Sequence, residues 1–132
     1  MFMGRSAMRV GLFAACLALP AASAVAASNP ATHKCFFITE WQGWSSPSPT
    51  VLYLKVNSDI YRVDLSVGSD LLRSPGMHLN SKLNDNSSIC TPLDLDLEIS
   101  DELGAMRERL IAKAITKLTP EEVAAIPSKY RP

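Results

Sequence analysis

The sequence predicts a small β-rich α+β domain: about five or six mostly antiparallel strands closed by one short C-terminal helix. Three stretches carry that prediction. In Ser88–Ser100, Leu93, Leu95, Leu97 and Ile99 alternate with Asp94, Asp96, Glu98 and Ser100. A period of two puts the apolar side chains on one face, as in a half-buried strand. Val51–Val56 and Ile60–Leu65 read as a hairpin. Thr119-Pro120-Glu121-Glu122 is a capping box with proline at the first helical position.

The elements follow in order. Residues 1–26 read as a signal peptide. Arg5 and Arg9 precede the apolar run Val10–Leu19, and Ala22-Ser23-Ala24 and Ala24-Val25-Ala26 offer small-x-small cleavage sites. Phe13-Ala14-Ala15-Cys16 offers the alternative of a lipoprotein box with the lipid on Cys16. Residues 27–33 read as a flexible tether, residues 34–127 as one β-rich domain and residues 128–132 as a tail. Lys34–Trp41, rich in aromatic and β-branched residues, reads as the first strand, apolar on both faces. Ser45–Thr50, with two prolines and three serines, reads as a loop.

The hairpin has a preferred register. A loop of Ser58-Asp59, or a four-residue loop Asn57–Ile60, opposes Val56 to Tyr61, Leu54 to Val63 and Leu52 to Leu65. A three-residue loop would oppose apolar to polar side chains, so the even loop is expected. Ser69-Asp70 suits the cap of a short turn through Arg73, and Ser74-Pro75-Gly76 is a turn signal. His78–Leu83 permits a short strand, and Asp101–Gly104 turns the chain. Leu110–Leu118 has a composition that suits a helix, but its alternation favours a strand antiparallel to the Leu93–Ser100 stretch. That pairing brings Lys113 and Lys117 towards Asp94, Asp96 and Glu98. Pro127 stops the final helix near Ile126.

Charge and cysteine content narrow the function. The chain has 13 basic and 13 acidic residues, and losing Arg5 and Arg9 with a signal peptide leaves a net charge of −2. No basic stripe marks a nucleic-acid partner. Cys35 and Cys90, the pair left once Cys16 is set aside, suit one disulfide in an exported domain. Two buried free thiols are the alternative. A bridge would close a 55-residue loop and contribute about 4 kcal/mol in the chain-entropy account.

The ordered landmarks resemble a family of small exported bacterial domains of unknown function. The matching pieces are Cys35-Phe36-Phe37, Gly43-Trp44, Tyr61-Arg62-Val63-Asp64-Leu65, Ser88-Ile89-Cys90 with Leu93-Asp94, and the run from Leu118 to Pro127. The resemblance spans about Lys34 to Pro127. It implies an exported or lipid-anchored domain and a strand before Thr119. Similar proteins often carry two further cysteines, in regions that correspond to Ser66–Arg73 and Met106–Leu110. Their joint absence here is consistent with Cys35 and Cys90 being partners.

Few residues suggest chemistry. Trp41 and Trp44, flanking Gly43, are a candidate interaction surface if exposed, or a cap on the core if not. Asp94, Asp96 and Glu98 are a weak candidate for a calcium site, because alternate strand residues stand about 7 Å apart and no calcium-loop pattern accompanies them. The competing reading is a solvated face paired with Lys113 and Lys117. His33 and His78 are the imidazoles, His33 in the tether, and no nucleophile elbow, CxxC, P-loop or dinucleotide fingerprint occurs. No cofactor is implied, and no residue is assigned a catalytic role. The expectation is therefore a non-catalytic binding or interaction module of the bacterial periplasm, its partner another periplasmic or envelope protein. A membrane is a partner only if Cys16 is lipidated. The alternatives are a small hydrolase using His78 with nearby acids such as Asp70 or Asp85, and a structural envelope protein anchored at Cys16.

Overall fold

A computed structural model describes residues 35–83 and 87–132. The expected signal peptide, Cys16, the tether with His33, and Asp85 lie outside the described residues. Within them the chain is β-rich, as expected, with eight strands, a little above the count predicted, and one α-helix. The strands are β1 (Phe36–Phe37), β2 (Trp41–Ser48), β3 (Val51–Val56), β4 (Asp59–Val67), β5 (Met77–Ser81), β6 (Ser88–Ile89), β7 (Leu97–Asp101) and β8 (Arg107–Lys117), and the helix is α1 (Pro120–Ala125). Six strands form one sheet in the order β2-β3-β4-β8-β7-β5, and β1 pairs with β6 in a small second sheet. Every pairing is antiparallel.

The hairpin keeps the expected faces but slides by two residues. Leu54 stands opposite Tyr61, Leu52 opposite Val63 and Val56 opposite Asp59, so the turn is Asn57-Ser58 rather than Ser58-Asp59. Asn57 adopts φ 53°, the left-handed conformation that tight hairpin turns require and asparagine tolerates. Its backbone N–H also donates to the Glu40 carbonyl, and its side-chain amide to the Glu40 carboxylate. A slip of two leaves each side chain on its own face. Leu52, Leu54, Val56, Tyr61, Val63 and Leu65 are accordingly buried in one core.

The first strand differs from expectation. Lys34–Trp41 is not continuous: β1 ends at Phe37, and Ile38–Glu40 forms a 3-10 turn. The Glu40 carboxylate accepts the Phe37 N–H at 2.7 Å, which turns the chain. Phe36 is buried and Phe37 exposed, so β1 is buried on one face, not both. The phenyl ring of Phe36 packs on Tyr61 with centroids 4.8 Å apart. Burial, the largest influence, raises the pKa of the Tyr61 phenol. Cys35 and Cys90 stand at disulfide distance beside this ribbon, their sulfurs 2.12 Å apart.

The expected loop Ser45–Thr50 is for the most part strand. Residues 45–48 continue β2 along the edge of the sheet. Pro47 is accommodated because an edge strand has one side free of ladder bonds and the register shifts between Ser45 and Ser48. The Ser46 hydroxyl bonds the carbonyls of Ser48 and Val51, closing the turn into β3.

β8 is a strand, as its alternation indicates, and it joins two halves of the sheet. Ile111–Lys117 pair with β4, while Arg107–Leu110 pair with β7. A strict alternation would point Ala114 inward. Instead Leu65 faces Ala112 and Asp64 faces Ala114, leaving Lys113 as an extra residue in a bulge. The bulge changes parity, so Leu110, Ala112 and Ile115 are the buried positions.

The Leu93–Ser100 stretch is only partly a strand. Pro92–Asp94 form a 3-10 turn, and β7 begins at Leu97. Leu93 is 92% exposed, whereas Leu97 and Ile99 are fully buried. The strand also lacks a wet face: Glu98 and Ser100 are buried between neighbouring strands. Ser69 caps the 3-10 turn Asp70–Arg73 as expected, its hydroxyl accepting the Leu71 N–H. The Thr119 box forms, with the hydroxyl accepting the Glu122 N–H and the Glu122 carboxylate accepting the Thr119 N–H. The tail, residues 128–132, is tied back to the body: Ser128–Tyr130 form a 3-10 turn, the Ser45 hydroxyl donates to the Tyr130 carbonyl, and Arg131 donates to the carbonyls of Ala124 and Ile126.

These positions separate two leucines that simple alternation treats alike. Leu97→Ala is expected to cost about 2–5 kcal/mol in urea unfolding. Leu93→Ala is expected to stay within about 0.5 kcal/mol of the parent. Equal losses at both sites would restore a strand through Leu93.

Candidate binding groove at the sheet seam

The sheet has two terminal strands, β2 and β5. The 3-10 turn Asp70–Arg73 touches both, so the sheet curls until its edges are bridged by that turn. Leu72 is buried there and belongs to the main core. Gly68 makes this path feasible. A Cβ at Gly68 would stand 1.8 Å from the Pro49 carbonyl oxygen, the same atom that accepts the Ser69 N–H at 3.0 Å. Only glycine permits that approach.

Along this seam lies an open groove of about 410 Å³. Trp44 lines it from β2, Leu72 and Arg73 from the bridging turn, Ser74 and Pro75 from just after it, and Lys129 and Tyr130 from the C-terminal turn. Trp44 pairs with Leu54 in the ladder and packs partly against the core. The serines beside it are used internally, Ser45 by Tyr130 and Ser46 by two carbonyls. The Lys129 ammonium sits 4.6 Å from the Tyr130 ring centroid. Arg73 pairs with Asp70 at 3.4 Å, both side chains largely exposed.

Trp41 and Trp44 are thus not a matched pair. Trp41 packs on the core and donates its indole N–H to the Gly43 carbonyl at 2.8 Å. The Trp44 indole N–H has no acceptor among the described residues and is not buried. Trp41 serves as a cap on the core, while Trp44 both packs and faces the groove. Tyr130, Arg73 and Lys129 were not singled out by sequence. Three segments about 30 residues or more apart meet here, and one of the links between them is a backbone carbonyl, which no side-chain pattern reports.

The acidic row Asp94, Asp96 and Glu98 does not converge on one point. Asp94 accepts the N–H groups of Cys90 and Thr91 at 2.9 and 2.6 Å. Asp96 pairs with Arg109. Glu98, only 8% exposed, pairs with Lys82 and Arg107. Lys113 and Lys117 are not the partners: Lys117 bonds Asp59 at 2.6 Å, which raises its pKa. Their expected approach fails because β7 pairs with the opposite end of β8. Among the described residues no group of three His, Cys, Asp or Glu side chains is placed to hold a metal ion. His78 is exposed in β5, opposite Ser100, with no side-chain partner among the described residues. Asp70 is engaged by Arg73 instead.

No family model, curated protein or solved structure matches the chain. Among the described residues, no helix is long and apolar enough to cross a membrane.

The Asp94 geometry has a pH signature. Its carboxyl pKa is lowered, first by the Cys90 N–H and then by the Thr91 N–H. A lowered folded-state pKa adds stability above the unfolded value of about 3.9, which is lost as pH falls through the folded value. Asp94→Ala should therefore melt below the parent at pH 7, and the gap should close as pH falls below about 4. Thermal melts across that range check it, and a gap independent of pH would refute it.

Proposed function

We propose that this protein is an exported, non-catalytic interaction module whose partner binds at the Trp44 groove. The observation that supports the reading is the groove itself. It is concave, it combines two aromatic rings with two cations, and it includes an indole N–H without an acceptor among the described residues. Surfaces that mix aromatic anchors with arginine are those that concentrate binding energy. The hydrolase reading has less support, since His78 lies open to solvent on β5 and makes no ion pair or hydrogen bond with a carboxylate among the described residues.

Export and kinship with the family of small exported domains belong to the same proposal. A disulfide-distance pair at Cys35 and Cys90 is consistent with an oxidising compartment. The partner is then another periplasmic or envelope protein.

Site-specific photocrosslinking tests the reading in living cells. A benzoylphenylalanine at position 130 keeps an aromatic ring in the groove, and one at exposed Lys113 is the control. The expected result is a discrete higher-mass adduct from position 130 and none from position 113. No adduct at 130, or the same adducts from both, would overturn it.

A further inference from the structure

The groove's chemistry is one-sided. Its lining has two cations, Arg73 and Lys129, and no aspartate or glutamate. Of its three serines, Ser45 and Ser46 already donate within the fold, and only the Ser74 hydroxyl has no bond among the described residues. The Trp44 indole N–H adds a donor that lacks a partner among the described residues. What remains unspent is therefore mostly donor capacity, which calls for a ligand rich in acceptors. Leu72, Pro75 and the Tyr130 and Trp44 rings add apolar walls.

We propose that the groove takes an extended acidic peptide segment of a partner protein, with an apolar side chain against Trp44 and Tyr130 and flanking carboxylates on Arg73 and Lys129. The inference rests on the interaction-module reading above. A peptide fits better than a sugar acid for two reasons. Leu72 and Pro75 offer aliphatic surface rather than partners for hydroxyls, and no carboxylate or carboxamide side chain lines the groove to accept from a ring of sugar hydroxyls. The groove is also walled by three separate segments, residues 44–46, 72–75 and 129–130, so its contacts are spread over more than one residue of a chain lying in it. Asp70 does not block the site: its bond to Arg73 is long and exposed, so a ligand carboxylate can displace it.

The test uses 15N-labelled protein and the two tryptophan indole resonances. The probes are an N-acetylated heptapeptide of alternating Glu and Leu or Phe, the same peptide with Lys for Glu, and trigalacturonate. The acidic peptide should shift the Trp44 indole signal saturably, with a Kd below about 1 mM, and leave Trp41 in place. The double variant Arg73→Glu/Lys129→Glu should weaken binding at least about tenfold, while Arg73→Lys/Lys129→Arg should retain it. No shift, an equal shift with the basic peptide, or tighter binding of trigalacturonate would overturn the proposal. Photocrosslinks at position 130 without acidic-peptide binding would remove this ligand class and leave the interaction site standing.

Discussion

The close approach of Gly68 to the Pro49 carbonyl is the constraint on which the seam depends. A six-stranded antiparallel sheet of this size leaves two edges, and edges left open invite unwanted pairing. Here the chain leaves β4, touches down on the turn between β2 and β3, and lays Asp70–Arg73 between the terminal strands. Any side chain at position 68 would push that turn outward, because the atom in the way is backbone and cannot swing aside. With the turn in place, Leu72 enters the core and Arg73 and Pro75 form one wall of the groove. The same contact thus completes the core and builds the candidate site.

The opposite side is secured by different means. The Cys35–Cys90 pair holds the β1–β6 ribbon over the inner face, and Phe36 packs there on Tyr61. Asp94 accepts the Cys90 and Thr91 N–H groups, which would otherwise lack partners where the chain leaves the ribbon. Glu98 is the one strongly buried carboxylate among the described residues, and its two cationic partners come from β8 and from the residue after β5. Burying this carboxylate away from its two cations would be costly, so the arrangement favours the observed register over slipped ones. The Thr119 box then aims α1 and the C-terminal turn back towards β2, where Tyr130 meets Ser45.

The faces of the hairpin, the strand character of β8 and the Thr119 cap were legible because each is a local pattern with a local cause. The failures lie where a local pattern is overridden by a backbone bond or by a neighbouring strand. Alternation continued through Leu93 because a period of two does not register that Asp94 bonds backward to the backbone. Serines and prolines in residues 45–48 have loop composition, yet an edge strand with a register shift tolerates them. The parity of β8 changed at Lys113, an extra residue visible only once β4 is its neighbour. Of the groove, Trp44 was legible as an aromatic beside a glycine. Arg73, Lys129 and Tyr130 were not, since their meeting depends on the curl of the whole sheet and on a carbonyl at position 130.

The central claim is that the sheet's edges are bridged and that the bridge and the C-terminal turn together form a groove at Trp44. A nuclear Overhauser spectrum of the folded protein tests it most directly. Cross-peaks are expected from the Trp44 ring to the Leu72–Pro75 segment, and from Ser45 to Tyr130. Random-coil shifts for residues 128–132, with no cross-peak between Trp44 and residues 72–75, would contradict the bridged seam and the site built on it.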